Sequence, residues 1–269
     1  MSCSLRWLRV LDGREVVGLQ RADAFEAYAE SIPWFLALRT GQRTYITSMK
    51  LYHFIQSNFG IEDIKRRRIR ISRINDLNDP FEFLAYSLED PTQRSKFRKV
   101  KDEFHKNRGI ICFSQNWWNP VIWSHYADKH KGMCLGFEVE NSFVEQVAYS
   151  AQRLKLDVEQ FTKNAILAEQ MMQKCILTKF NHWGYEQEWR AFFRLDHSMV
   201  DLQGNYFYDF DANIKLTEII VGAESRVTRS DIQAALKEGG YDYEITTFKA
   251  RPAFKTFQVV RNKNEELWE

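Results

Sequence analysis

Two carboxylates two residues apart, Glu186 and Glu188, lie in the run Trp183-Gly184-Tyr185-Glu186-Gln187-Glu188-Trp189-Arg190. In a strand, positions 186, 188 and 190 point to one face. Glu186, Glu188 and Arg190 then form either a plain charge ladder or a paired-carboxylate site. Flanking Trp and Tyr are unusual for an exposed ladder, so both readings stand. Three further clusters carry polar groups among aromatics: Leu51-Tyr52-His53-Phe54, Asn78-Asp79-Pro80-Phe81-Glu82, and Cys112-Phe113-Ser114 followed by Trp123-Ser124-His125-Tyr126-Ala127-Asp128-Lys129-His130-Lys131-Gly132. Residues 53 and 114 also have plain readings, as a hydrogen-bonded core histidine and a strand-end turn serine.

The His125–His130 spacing argues against a metal. Five residues turn about 140° on a helix of about 3.6 residues per turn, whereas a zinc helix sets its histidines four apart. Tyr126 and His130 are the pair expected to share a face. Asp79 before Pro80 reads as a structural turn. Lys65, Arg66, Arg67 and Arg68, with Arg70 and Arg73, are either a solvated helix end or a phosphate-contacting surface for nucleic acid or a pyrophosphate.

The elements that must position these groups follow from periodicity. Strands are expected at Lys50–Ile55, Ile69–Ile74, Gly109–Ser114, Met133–Val139, Val147–Ala151, Trp189–Leu195, Tyr206–Phe210, Glu218–Val221, Glu244–Ala250 and Lys255–Val260. Helices are expected at Arg21–Leu38, Ser57–Arg68, Pro91–Arg108, Pro120–Lys131 (stopped by Gly132), Val158–Phe180 and Val227–Gly239, the last capped by Thr228 or Ser230. Strict βαβ alternation is absent. That predicts an α+β fold with a split, largely antiparallel sheet and flanking helices. Residues 1–48 read as an N-terminal helical extension packed on a single α+β domain, 49–269.

Composition narrows the class. The chain has 269 residues and a formal net charge of +2, so charge alone does not imply nucleic acid. No glycine-rich nucleotide loop is present. Cys3, Cys112, Cys134 and Cys175 form no Cys-x-x-Cys pair; Cys112 and Cys134 are expected to be buried thiols in a reducing compartment. No signal-peptide pattern or long apolar run appears, so the expectation is a cytoplasmic protein with no membrane partner.

These motifs, in this order, resemble the widespread bacterial domain of unknown function twenty-nine seventy-one, from about Leu51 to Gly222, with the Trp-Ser-His-Tyr-Ala-Asp…His-Lys-Gly run as its most specific part. More distantly, the order His…Ser…Glu-x-Glu resembles the three-part signature of ADP-ribosyltransferases. That resemblance implies NAD as substrate, with no metal. His53 would hold a ribose hydroxyl, Ser114 would support the nicotinamide-side ribose, and Glu188, with Glu186, would supply the catalytic carboxylate. Tyr52 would join the nucleotide site, and Trp123 or Tyr126 would stack on the nicotinamide ring. Breaking the nicotinamide–ribose bond passes through an oxocarbenium-like state that a carboxylate stabilises. The sequence departs from the signature in two places: the second strand reads Cys112-Phe113-Ser114 rather than Ser-Thr-Ser, and Phe54-Ile55 replaces the threonine expected after the first histidine.

The expected function is therefore an NAD-dependent ADP-ribosyltransferase or NAD glycohydrolase-like effector, a toxin or phage-defence protein acting on a protein or nucleic-acid target. Two alternatives remain open. One is a metal-dependent nuclease using Asp79, Glu82, Glu186 and Glu188 with Mg²⁺, against which Arg190 stands where a lysine is wanted. The other is a non-enzymatic nucleotide- or protein-binding module.

Overall fold

The computed structural model describes residues 47–156, 165–264, 266 and 268. The expected N-terminal helix and Cys3 lie outside the described residues. In chain order the elements are β1 (Ser48–Ile55), α1 (Ser57–Arg66), β2 (Arg68–Ile71), α2 (Pro91–Asn107), β3 (Arg108–Ser114), α3 (Pro120–Tyr126), β4 (Met133–Glu140), β5 (Glu145–Gln146), β6 (Ala148–Ser150), α4 (Ala165–Ile176), β7 (Thr178–Phe180), β8 (Glu188–Arg194), β9 (Tyr206–Asp209), β10 (Ile214–Val221), α5 (Arg229–Gly239), β11 (Thr246–Pro252) and β12 (Val259–Arg261).

Eight strands form the main sheet in the order β12-β11-β10-β4-β1-β3-β8-β5. All pairings in it are antiparallel except β10 with β11. The class is thus mixed α/β with a large, mostly antiparallel sheet. β1 pairs with β4 along its whole length, from Ser48 opposite Glu140 to Ile55 opposite Met133. On its other side β1 meets β3 at a single pair, Tyr52 opposite Ser114. The sheet is therefore two ladders that touch at one point and diverge elsewhere. No helix among the described residues is long and apolar enough to cross a membrane.

Strand alternation sorts the side chains. Leu51, Ile55, Ile111, Phe113, Leu135 and Ala191 enter one apolar cluster on one face. On the opposite face lie two separate clusters. One holds Ile110 with Phe97, Val100 and Phe104 of α2 and Met172, Cys175 and Ile176 of α4. The other holds Phe54, Cys134 and Ile220 with Ile122 and Trp123 of α3 and Phe248 and Val259. Local chemistry sets the helix starts. Asp90 and Asn119 accept from the second backbone N–H of α2 and α3, each with proline in the first turn. Thr228 caps α5 through a reciprocal box with Asp231.

Two expected helices are shorter than their pattern. α3 ends at Tyr126, because Asp128, Lys129 and His130 all take left-handed backbone, with φ of 44°, 54° and 68°. Left-handed residues cost about 1–2 kcal/mol each. Here the bend is held by the N–H groups of His130 and Gly132, which donate to the Trp123 and Ala127 carbonyls at 3.3 and 2.8 Å. Gly132 is not the helix stop. Its α-hydrogen faces the Ile55 carbonyl, and a Cβ there would lie 2.3 Å from that oxygen. Tyr126 and His130 consequently share no helix face; His130 stacks on Trp123 instead. The helix expected over 158–180 is described as Ala165–Ile176, after which residues 178–180 become β7, parallel to β6.

Candidate active site

The divergence of β1 from β3 opens a cleft of about 690 Å³. Its floor is built from side chains brought together from across the chain. The register aligns Tyr52, Ser114 and Glu188 in one row across β1, β3 and β8. Arg190 follows Glu188 on the same face of β8, opposite Cys112. Glu186 is not on the strand. It ends a 3-10 turn over 181–186, and Gln187, left-handed at φ 45°, swings the chain into β8.

Lys179 is the buried middle residue of β7. Its ammonium sits 2.7 Å from Glu186, 2.9 Å from Glu188 and 3.6 Å from Glu82. The Arg190 guanidinium donates to Glu188 at 2.7 and 3.1 Å and to Glu82 at 2.6 and 2.9 Å, and reaches the Ile176 carbonyl at 2.7 Å. All five groups are buried. Three carboxyl groups thus face two cations, all with little solvent exposure. Tyr126 donates to the second oxygen of Glu186 at 2.5 Å, and the Glu188 N–H donates to the Tyr149 hydroxyl at 2.8 Å.

This arrangement separates the two carboxyls. Burial raises the affinity of Glu186 for a proton, and the opposing pull of Lys179 does not cancel it. Burial acts on Glu188 too, but Arg190 and Lys179 outweigh it and hold that carboxyl well below its usual range. Lys179 goes the other way: burial disfavours its charge, and Glu188, Glu186 and Glu82 more than restore it. Two carboxyls of divergent proton affinity in one cleft mark a candidate acid–base site.

The expected site residues fall into three groups. Tyr52, His53, Ser114, Tyr126, Glu186 and Glu188 all line the cleft. Ser114 donates to the Glu186 carbonyl at 2.5 Å, which ties the second strand to the Glu-x-Glu turn. His53 alternates to the face opposite Glu188, and its ring packs edge-on to Phe113. Its Nδ1 is 2.9 Å from the Cys112 carbonyl. A carbonyl only accepts, so Nδ1 carries the proton and Nε2 is left as an acceptor. Burial keeps this imidazole neutral.

Trp123 does not line the cleft. It is fully buried, with its indole N–H donating to the Trp117 carbonyl and Phe54 packed against it, so it is core rather than a stacking platform. Asp79 is also off the floor; it accepts from the Phe81 N–H in its own turn. Among the described residues, no group of three His, Cys, Asp or Glu is placed to hold a metal ion. Of the carboxylates a nuclease would need, Glu82, Glu186 and Glu188 instead hold Lys179 and Arg190. Of the thiols, Cys134 and Cys175 are buried, whereas Cys112 is half-buried and lines the cleft.

The basic run splits. Lys65 pairs with Glu62 and Glu238, Arg66 pairs with Glu62, and Arg67 covers the Tyr241 ring. On β2, Arg68 and Arg70 alternate away from the core and, with Arg66, line the cleft wall. Arg68 lies 3.6 Å over the Phe207 ring, and Phe207 stands opposite Arg70 on β9. One floor residue and one residue behind it carry no sequence motif. Lys179 falls within the helix expected over 158–180, and its signal is the break in helical pattern at Thr178. Tyr149, which accepts from the Glu188 N–H, lies in a strand with no motif.

Residues 122–191 match the family described as a protein of unknown function (DUF2971). The matched segment runs from α3 into β8 and contains Tyr126, Lys179, Glu186, Glu188 and Arg190, four of the five buried charges together with the tyrosine bonded to them. No curated protein and no solved structure matches the chain.

Proposed function

We propose that this protein cleaves the nicotinamide–ribose bond of NAD, as an ADP-ribosyltransferase or an NAD glycohydrolase. The observation that carries the reading is the polarity of the cleft. One end is floored by Glu82, Glu186 and Glu188 around Lys179, and the wall carries Arg68 and Arg70, set among Asp63, Asp76 and Asp201, with Arg66 paired to Glu62. A dinucleotide needs both. Its diphosphate suits guanidinium groups, and its ribose develops positive charge as nicotinamide departs. The cleft volume lies within the range of about 300–1,000 Å³ usual for small-molecule sites.

In this scheme the C1′–N bond breaks and its electron pair leaves with nicotinamide. Water or a target nucleophile bonds to C1′ and passes its proton to the ionised carboxylate of Glu186, whose burial raises its affinity for that proton. Tyr52 and Ser114 form the side of the cleft beside that ribose. His53 lies on the opposite sheet face from Glu188 and has its free Nε2 at the gap between β1 and β3, so its part in this scheme is to bound the cleft rather than to hold that ribose.

The test follows release of nicotinamide from NAD labelled on that ring. Glu186→Gln leaves two carboxylates against two cations and keeps the fold. It is expected to lower release at least about a hundredfold, the span general acid–base groups contribute, and a thermal melt of the same variant checks that it is folded at the assay temperature. Glu188→Gln, which strips a partner from Arg190, is the second arm. No release by wild type, with or without cell extract as acceptor, overturns the proposal. Equal release by wild type and a folded Glu186→Gln does so as well. One observation favours the binding-module alternative: every floor carboxylate already holds a cation. NAD affinity without turnover is its signature in the same assay.

A further inference from the structure

The last hairpin of the sheet carries chemistry that the cleft does not use. Residues 246–264 contain five cations, Lys249, Arg251, Lys255, Arg261 and Lys263, and no acid. They form β11, a tight loop closed by the Ala253 N–H donating to the Gln258 carbonyl at 2.8 Å, and β12. At the loop, Phe254 and Phe257 are 91% and 99% exposed. An exposed phenylalanine is ordinary when single, but two within four residues at one cationic tip, both standing out into solvent, are not. Beside the hairpin stands Trp118, 45% exposed, whose carbonyl accepts from the Val259 N–H at 2.8 Å. Trp118 lies just before α3, and α3 lends Ile122 and Tyr126 to the cleft. The hairpin and α3 also share one apolar cluster, through Phe248, Val259, Ile122 and Trp123.

We propose that this hairpin, with Trp118, is a docking surface for single-stranded nucleic acid. The charge is complementary to a phosphate backbone, and exposed rings interleaved with cations are what unstacked bases bind. A membrane is the less suitable partner. The Arg251 guanidinium lies 4.6 Å over the Phe254 ring. Inserting that ring among acyl chains would drag a charge with it, whereas a base edge or phosphate meets a guanidinium on a ring favourably. The surface is separate from the basic run at 65–68, whose Lys65 and Arg66 are neutralised by Glu62 and Glu238.

Labelled single-stranded 12-mers of DNA and of RNA, and their duplexes, are titrated with the full chain and followed by anisotropy. Wild type is expected to bind the single strands more tightly than the duplexes, with affinity falling steeply as salt rises. Phe254→Ala with Phe257→Ala is expected to weaken single-strand binding at least about tenfold, since each stacked base is worth about 1–3 kcal/mol. Lys255→Gln is expected to reduce the salt slope by about 0.7. Neither variant touches the cleft, so NAD cleavage without nucleic acid stays at the wild-type rate. Failure of the cleft proposal therefore leaves this one standing, and the reverse. Absent single-strand binding, or binding unchanged in the double variant, overturns the proposal. So does co-sedimentation with phosphatidylcholine–phosphatidylserine vesicles that the double variant abolishes while nucleic-acid binding stays intact.

Discussion

Replacing Lys179 with methionine tests the ion cluster directly. Methionine keeps the length and apolar stem of the side chain and removes one charge. Wild type sets two cations against Glu82, Glu186 and Glu188. Lys179→Met leaves Arg190 alone against three carboxylates, and of these Arg190 bonds Glu82 and Glu188 but not Glu186. Glu186 is then buried with the Tyr126 hydroxyl as its one side-chain donor. Breaking a buried pair from one side costs about 3–5 kcal/mol. For a body of this size each kcal/mol lowers Tm by roughly 2–4 °C, so the expected drop is roughly 6–20 °C. The pH dependence has a definite sign. Burial already raises the pKa of Glu186, and losing Lys179 raises it further. A carboxyl raised on folding stabilises the native state below its unfolded pKa, near 4.3, and loses that contribution as pH rises through the folded value. The deficit of Lys179→Met should therefore shrink as pH falls from about 7 to about 5. Adding Glu186→Gln restores the net charge of the cluster and should recover part of the loss, with a coupling of about 0.5–3 kcal/mol in the double-mutant cycle. Thermal melts of the four proteins across pH decide it. A Lys179→Met protein that melts within about 2 °C of wild type at neutral pH would refute the reasoning.

Three further outcomes are expected. Tyr126→Phe removes the donor to Glu186 and should cost about 1.5–3 kcal/mol at neutral pH, as for hydrogen bonds to charged groups, with less loss in acid; denaturant melts at two pH values measure it. Asp63 is buried with one carboxyl oxygen unpartnered, and burial, opposed by Arg68 and Arg70, raises its pKa to about 7. Its folded value lies above the unfolded one, so its contribution is full below about pH 4 and lost as pH rises toward 7; Asp63→Asn should flatten the stability profile in that window, and an unchanged profile counts against it. Gly132→Ala would place a Cβ 2.3 Å from the Ile55 carbonyl and 2.9 Å from Ala127 backbone, neither of which can rotate away. Its expected cost is about 1–3 kcal/mol, read as a lower denaturant midpoint with unchanged slope.

Much of this frame is written in local pattern. β1, β3 and β8 stand where alternating runs placed them, and the Thr228 cap follows from an oxygen-bearing side chain three residues before Asp231. Such features depend on neighbours in sequence, which is what periodicity samples. The errors fall where distant contacts decide. α3 stops at Tyr126 because His130 folds back onto Trp123, a packing event that helix propensity does not encode. The Glu186–Glu188–Arg190 ladder is half correct: Glu188 and Arg190 do pair on one face, but the left-handed Gln187 takes Glu186 out of the strand. Glu82 bonds Arg190 across 108 residues, and no spacing rule announces such a partner.

The cluster itself argues that its charges serve more than stability. Buried ionisable groups such as these can often be replaced by apolar side chains of like volume with little loss, and often with gain. Here they sit between two apolar clusters that already pack α2 and α4 on one side and α3 on the other. Four of them, Glu82, Lys179, Glu186 and Glu188, line an open cleft instead of the closed core beneath the opposite face. Had their task been to hold β7 against β8, an aliphatic pair would have done it without desolvating five charges. On the proposed reading, what the cluster adds is a set of carboxyl groups clamped by Lys179 and Arg190, which need not reorganise for positive charge to develop on a ribose above them. Preorganised charge of that kind is worth far more to a transition state than a mobile carboxylate in water. The clamp on Glu188, which would look like inactivation if that residue were a nucleophile, is what an electrostatic role requires.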